Sequence, residues 1–203
     1  MTVANIPTSI QAWLRDSAEM LADAGITSAL LDAELILAHT VRKNRTWLHA
    51  HNDEQLTERQ LEIAHARLQL RLDRTPLAYI IGHKDFYGRL FKVTQSVLIP
   101  RPESEAIITC LRQYEPHTGR LVDVGTGSGC LGITAKLEIP ALDVTLTDNS
   151  RHALAVAREN ATRLHAHVDI IQSDLLSATF GTFDGIIANL PYVDASWERS
   201  PET

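Results

Sequence analysis

The sequence predicts an α/β protein in two parts, a small helical bundle followed by a parallel sheet. Three observations predict it. Over residues 1–75, apolar side chains recur at helical spacing. From about residue 103 onward, short apolar runs alternate with helical stretches, the pattern of βαβ units. Between them, residues 77–99 are rich in aromatic and β-branched side chains and are punctuated by Gly82 and Gly88, which reads as a β-hairpin. The expected divisions are 1–75 for the helices, 76–102 for a hairpin linker and 103–203 for the sheet domain.

Each element has its own signals. Ser9 can cap a helix carrying Ile10, Trp13, Leu14, Ser17 and Leu21, with Gly25 just past its end. Ser28 can cap a second, with Leu30, Ala33, Leu37 and Val41 on one face. Thr57-Glu58-Arg59-Gln60 matches a capping box and opens a third, with Leu61, Ala64, Leu68 and Leu72 on one face. Three such helices with short connections pack as a small bundle. Pro100-Arg101-Pro102 is stiff and extended. A helix fits Glu103 to Tyr114, and Leu121 to Val124 is a short strand ending in a glycine loop. A helix then runs to about Glu138, Val144 to Thr147 is a second strand, and Ser150 to Leu164 is helical. Val168 to Ile171 and Phe183 to Ala188 are the third and fourth strands. Ligands of such sheets bind at the carboxyl ends of the strands, where Asp148, Asp174, Asn189 and the glycine loop all fall.

Composition narrows the function classes. Of 203 residues, 44% are apolar and 22% charged, which excludes a disordered chain, a collagen or a coiled-coil rod. No run of ~18 apolar residues is present, so no membrane partner is expected. Met1 to Asn5 lacks a basic, apolar leader, and Cys110 and Cys130 make neither a disulfide framework nor a metal knuckle. The expected setting is the cytoplasm, with both cysteines as small buried apolar residues. The net charge of −6 and the scattered Lys and Arg count against broad nucleic-acid binding. His165-Ala-His167 has no partner spacing of a zinc site, so no metal is expected. A monomer is the default.

Three segments can carry chemistry. In Asp123-Val-Gly-Thr-Gly-Ser-Gly129, glycines at alternate positions let the backbone turn sharply and approach a ligand with no Cβ in the way. Gly127-Ser-Gly129-Cys-Leu-Gly132 also satisfies the dinucleotide pattern G-x-G-x-x-G, with Asp148 about 20 residues on, where a carboxylate would hold ribose hydroxyls. The plain alternatives are a glycine turn without a ligand and an aspartate that caps the next helix. In Gln172-Ser-Asp174-Leu175, Asp174 can accept from an exocyclic adenine amine and Leu175 can wall the ring; otherwise Asp174 is a turn residue. Asn189-Leu190-Pro191-Tyr192 follows the fourth strand. The Asn189 amide oxygen and the Leu190 carbonyl can accept both hydrogens of a planar –NH₂. Pro191 biases Leu190 toward an extended backbone, and Tyr192 can bracket a substrate. The alternative is an ordinary Asn-x-Pro turn.

These motifs resemble a family. Asp123 to Gly129 and Asn189 to Tyr192 are similar to motif I and the N-P-P-Y motif of class I S-adenosyl-L-methionine (SAM)-dependent methyltransferases acting on amino groups. Leu77 to Gly82, Phe86, Phe91, Val93, Val97 to Glu105, and Asp32 to Leu37 narrow the resemblance to the HemK/PrmC family. That family methylates the side-chain amide of a glutamine in the Gly-Gly-Gln motif of peptide chain release factors. The resemblance implies a Rossmann-like methyltransferase sheet behind a helical substrate-recognition domain. It implies SAM contacts from Gly125, Thr126, Gly127, Ser128, Gly129, Asp148, Asp174, Leu175 and Asn189, with S-adenosyl-L-homocysteine as product. It implies that Asn189, Leu190, Pro191 and Tyr192 hold the glutamine, Asn189, Pro191 and Tyr192 forming the catalytic set. Release factors, acting in translation termination, are the implied partners.

Two departures accompany the resemblance. Leu190 stands where the family motif usually has Pro, but a backbone carbonyl at 190 survives the exchange. The family sheet also has three further strands, whereas the 203 residues end 11 after Tyr192. The expectation is therefore an incomplete sheet, strands 1–4 of 7. Three other readings compete. An adenine-N6 nucleic-acid methyltransferase would use the same Asn-x-Pro-Tyr logic on a flipped base. A nicotinamide-dependent oxidoreductase would use Gly127 to Gly132 but leave Asn189 to Tyr192 without a task. A fragment acting only as a binding module would need no chemistry at all.

Overall fold

A computed structural model describes residues 8–113 and 118–190. The chain folds as two compact units that divide between Ile81 and Gly82.

The first unit is helical. It comprises α1 (Ile10–Asp23), α2 (Ala29–Val41), α3 (Arg45–Ala50), α4 (Glu58–Leu72) and α5 (Leu77–Ile81). The Ser9 hydroxyl accepts from the Ala12 N–H at 3.2 Å, which starts α1 where expected, and Ile10, Trp13, Leu14, Ser17 and Leu21 are buried. Thr57 and Gln60 form the capping box of α4. The inner face of α2 differs from expectation. Leu30 is 56% exposed, while Asp32 and Glu34 are buried beside Ala33 and Leu37. Ion pairing overrides apolar patterning here. Asp32 Oδ2 accepts from Arg71 Nε at 2.7 Å, and Glu34 receives Arg45 and, at 3.0 Å, His49 Nε2. No described helix is long and apolar enough to cross a membrane.

The expected hairpin is shorter than its composition suggested. Residues 77–81 are helical as α5, and the hairpin is confined to β1 (His83–Phe86) and β2 (Arg89–Lys92). The Pro76 carbonyl accepts the N–H groups of Tyr79 and Ile80, and Gly82, at φ +78, ends the turn. Proline before a helix and glycine after it outweigh the β-branched residues between them. The strands pair from His83↔Lys92 to Phe86↔Arg89. Tyr87 and Gly88 make the two-residue connection at φ 50 and φ 70, the left-handed pair that matches strand twist.

In the second unit a 3-10 turn over Pro102–Ser104 leads into α6 (Glu105–Gln113), a start two residues later than expected. Tyr114, the expected end of that helix, lies outside the described residues. There follow β3 (Gly119–Val124), α7 (Cys130–Glu138), β4 (Leu142–Asp148), α8 (Arg151–Arg163), β5 (Asp169–Gln172) and β6 (Gly185–Ala188). The sheet is parallel in the order β5-β4-β3-β6, a Rossmann-like arrangement. Its core takes Leu121, Ile133, Leu146, Ala157 and Ile187 from the sheet and its helices. The hairpin contributes Phe86 and Phe91, packed edge to face with centroids 6.1 Å apart. The cysteines depart from expectation, since Cys110 is exposed and Cys130 only partly buried.

Candidate active site

The site begins where β3 ends. Asp123 is buried, and its Oδ2 accepts from Thr126 Oγ1 at 2.6 Å and from the Gly132 N–H at 2.9 Å. Burial pushes its carboxyl up to about 6, against the lowering by those two hydrogen bonds. One carboxylate oxygen therefore ties the glycine loop, at Thr126, to the first turn of α7, at Gly132. The Thr126 N–H donates to the Thr147 carbonyl at 2.9 Å, which ties the loop to the end of β4. Gly127 has φ +56, and a Cβ built there would meet nothing within 4 Å. That open, left-handed position is a cradle that any side chain would fill. Cys130 opens α7, and burial pushes its thiol up to about 12, so it is no thiolate nucleophile.

Asp148 ends β4. Its Oδ2 accepts from the Gly127 N–H at 3.0 Å and its Oδ1 from the Ser150 N–H at 2.9 Å. The cap of α8 is Ser150, whose hydroxyl accepts from the Ala153 N–H. Each Asp148 oxygen thus keeps lone-pair capacity for a further donor such as a ribose hydroxyl. The Ser173 N–H donates to the Asp148 carbonyl at 3.0 Å, which brings the turn after β5 beside it. There Asp174 is exposed, and Leu175 is 55% exposed at φ 51. A leucine in the left-handed region, turned outward, is strained and displays an apolar wall at the strand ends.

Asn189 follows β6 directly and is exposed. Its Nδ2 donates to Ser104 Oγ at 3.4 Å, and its Oδ1 takes no hydrogen bond among the described residues. Leu190 lies against the glycine loop, since a Cβ on Gly125 would come within 2.6 Å of Leu190 Cδ2. Strand register brings these groups to one rim, because Val124 pairs with Thr147 on one side and with Ala188 on the other. Pro191 and Tyr192 lie outside the described residues. Among the described residues no three His, Cys, Asp or Glu side chains cluster as a metal site. Sequence reasoning quoted Asp123 as the start of a motif but missed its role in bracing the loop; an acid on an otherwise apolar strand was the available signal. Ser104 lay inside the quoted segment Val97 to Glu105, but nothing in the sequence tied it to Asn189.

The glycine turn, the spare capacity of Asp148 and the apolar wall at Leu175 fit a cofactor carrying a ribose and a flat ring. An exposed amide beyond the fourth strand fits a planar nitrogen as acceptor. The PrmC N-terminal domain family matches residues 12–82, and the methyltransferase small domain family matches residues 102–200. A release factor glutamine methyltransferase of Koribacter versatilis is 41% identical over 84% of this chain and 62% of its own length. One of Chlorobaculum tepidum is 36% identical over 96% of this chain and 71% of its own. The chain thus spans roughly two thirds of the length of these two relatives. Among solved structures, a methyltransferase from Pyrococcus furiosus aligns at 23% identity over 63% of this chain and 61% of its own, with a TM-score of 0.46. Matched over residues 12–82 and 102–200 and 36% identical to a relative of which it covers 71%, this chain belongs to the release factor glutamine methyltransferase family.

Proposed function

We propose that the chain transfers a methyl group from S-adenosyl-L-methionine to the side-chain amide nitrogen of the glutamine in the Gly-Gly-Gln motif of a peptide chain release factor. The observation that carries this reading is the exposed Asn189 amide directly after β6, its nitrogen donating to Ser104 and its oxygen without a hydrogen bond among the described residues. Family membership supplies the substrate class.

In this reading the loop Gly125, Thr126, Gly127, Ser128 and Gly129 takes the amino-acid end of the cofactor at the open Gly127 position. Asp148 takes the ribose hydroxyls, Asp174 the adenine amine and Leu175 the adenine face. When bound, the cofactor supplies a sulfonium methyl that is already electrophilic, so the chain has only to present the nucleophile. An amide nitrogen is a poor nucleophile because its lone pair is shared with the carbonyl. Asn189 Oδ1 and the Leu190 carbonyl accept its two N–H bonds, raise electron density on nitrogen and fix its face toward the methyl. Pro191 keeps Leu190 extended and Tyr192 brackets the glutamine. Orientation of this kind can supply roughly 7–11 kcal/mol in favourable cases. The surplus proton leaves the substrate nitrogen after transfer, when it is far more acidic, so no general base is required.

The test is mass spectrometry of a bacterial release factor after incubation with SAM and the protein. One added methyl on the tryptic peptide bearing Gly-Gly-Gln is expected. An unmethylated Gly-Gly-Gln peptide, with methylated adenine in DNA or RNA offered in a parallel incubation, would overturn the substrate assignment.

A further inference from the structure

We infer that Asn160 is a positioning residue whose side-chain amide ties the hairpin to the glycine loop, so that the loop keeps its ligand-binding shape only while β2 is docked. The inference rests on the reading of that loop as the cofactor site. In a hairpin closed by a two-residue turn, hydrogen-bonded and non-hydrogen-bonded pairs alternate. Arg89 sits in the first bonded pair, so Leu90 and Lys92 turn their backbone groups away from β1. Helix α8 takes the Leu90 carbonyl and both Lys92 groups. The Arg163 guanidinium donates to the Leu90 carbonyl. Asn160 takes both groups of Lys92, with Oδ1 accepting from its N–H at 2.7 Å and Nδ2 donating to its carbonyl at 3.0 Å. The amide thereby completes the outer edge of β2 as a neighbouring strand would.

The other Nδ2 hydrogen reaches the Ser128 carbonyl in the glycine loop at 2.9 Å. Oδ1 also receives Arg163 Nη2 at 3.0 Å. Asn160 is wholly buried, and its two donors and two acceptor sites are all used. Its orientation is fixed, because a flipped amide would set its oxygen against two carbonyls and its NH₂ against two donors. Neighbouring Glu159 also grips the hairpin, through Lys92 Nζ at 2.6 Å, but at the surface and with no bond to the loop. On the other side of Ser128, the Gly127 N–H is held by Asp148. The loop is thus pinned from β4 on one side and, through Asn160, from the hairpin on the other.

The test compares wild type, Asn160→Asp and Glu159→Ala by calorimetric titration with S-adenosyl-L-homocysteine and by amide hydrogen exchange. Asn160→Asp keeps the shape but sets a carboxyl against two carbonyl oxygens. It is expected to weaken binding by about ten-fold or more and, without ligand, to speed exchange at the Lys92 and Gly129 amides together. Glu159→Ala is expected to leave affinity within about two-fold. In wild type, ligand should slow exchange at Lys92, because coupling between two sites is reciprocal. The inference is overturned if Asn160→Asp binds as wild type, if Glu159→Ala weakens binding equally, or if exchange rises at Lys92 alone. Should wild type bind no ligand, the cofactor reading fails, and the ligand-free exchange decides the tie by itself. Should Asn160→Asp not fold, wild type decides: an unchanged Lys92 amide under saturating ligand overturns the inference.

Discussion

The helical unit buries Asp32, Glu34 and Arg71 and matches them with other side chains, whereas the sheet unit buries Asp123, Thr126 and Asn160 around the backbone of one loop. The difference follows from what each backbone has already satisfied. Helices complete most of their own hydrogen bonds, so the buried carboxylates between them are matched chiefly by side chains, Arg71 also reaching the Thr75 carbonyl past the end of α4. The glycine loop belongs to no ladder, and its buried N–H and C=O groups need partners from elsewhere. Breaking a buried polar contact should therefore cost stability in the first unit and site geometry in the second.

The largest test is Arg71→Met, which leaves Asp32 buried without its Nε partner. A loss of roughly 3–5 kcal/mol is expected in urea unfolding followed by tryptophan fluorescence, with affinity for S-adenosyl-L-homocysteine unchanged below the transition. An equal fall in affinity would break the comparison. Asn189→Ala should do the reverse: methyl transfer falls about 100-fold or more, while stability moves by less than about 0.5 kcal/mol, because the side chain is exposed. Initial rates and melting of the same preparation check both halves.

Next comes a pH dependence confined to the sheet unit. Burial raises Asp123 from 3.8 to about 6. The protonated carboxyl's contribution is fully present below pH 3.8 and is lost as pH rises through about 6. Urea midpoints of Asp123→Asn and wild type should therefore diverge between those values and run parallel above them. Gly127→Ala is smaller in stability, about 1 kcal/mol for a side chain at positive φ, yet it should weaken ligand binding more than ten-fold by filling the open cradle. Smallest are the helix caps, Thr57→Ala in one unit and Ser150→Ala in the other, at about 1 kcal/mol each. Equal losses in thermal melts would sharpen the comparison by restricting it to buried groups.

Most elements were legible because their signals are local. Ser9 and Thr57 mark helix starts within four residues of the bonds they make, and alternation of strand and helix pointed to the parallel sheet. Residues 77–81 were misread because aromatic and β-branched composition does not choose between strand and one helical turn. The exposure of Leu30 was misread because the ion pair that buries Asp32 involves Arg71, 39 residues away. The motifs that mark the candidate site were visible at strand ends. The groups that brace them were not, since Asn160 bonds a residue 68 positions distant and Asn189 one 85 positions distant.

Val124, Thr147 and Ala188 lie side by side, and Asp148 stands opposite Gln172, so the strands finish level. That evenness sets where the gene can change length. A residue inserted within a strand would push the loop after it out by about 3.3 Å and turn the following side chains to the opposite face. The links Ile139–Ala141 and Leu164–Val168 enter the sheet from the far rim and can lengthen without moving any of the level ends. Insertions and deletions among related chains should accumulate at that far rim, leaving the spacing from each strand to its motif unchanged.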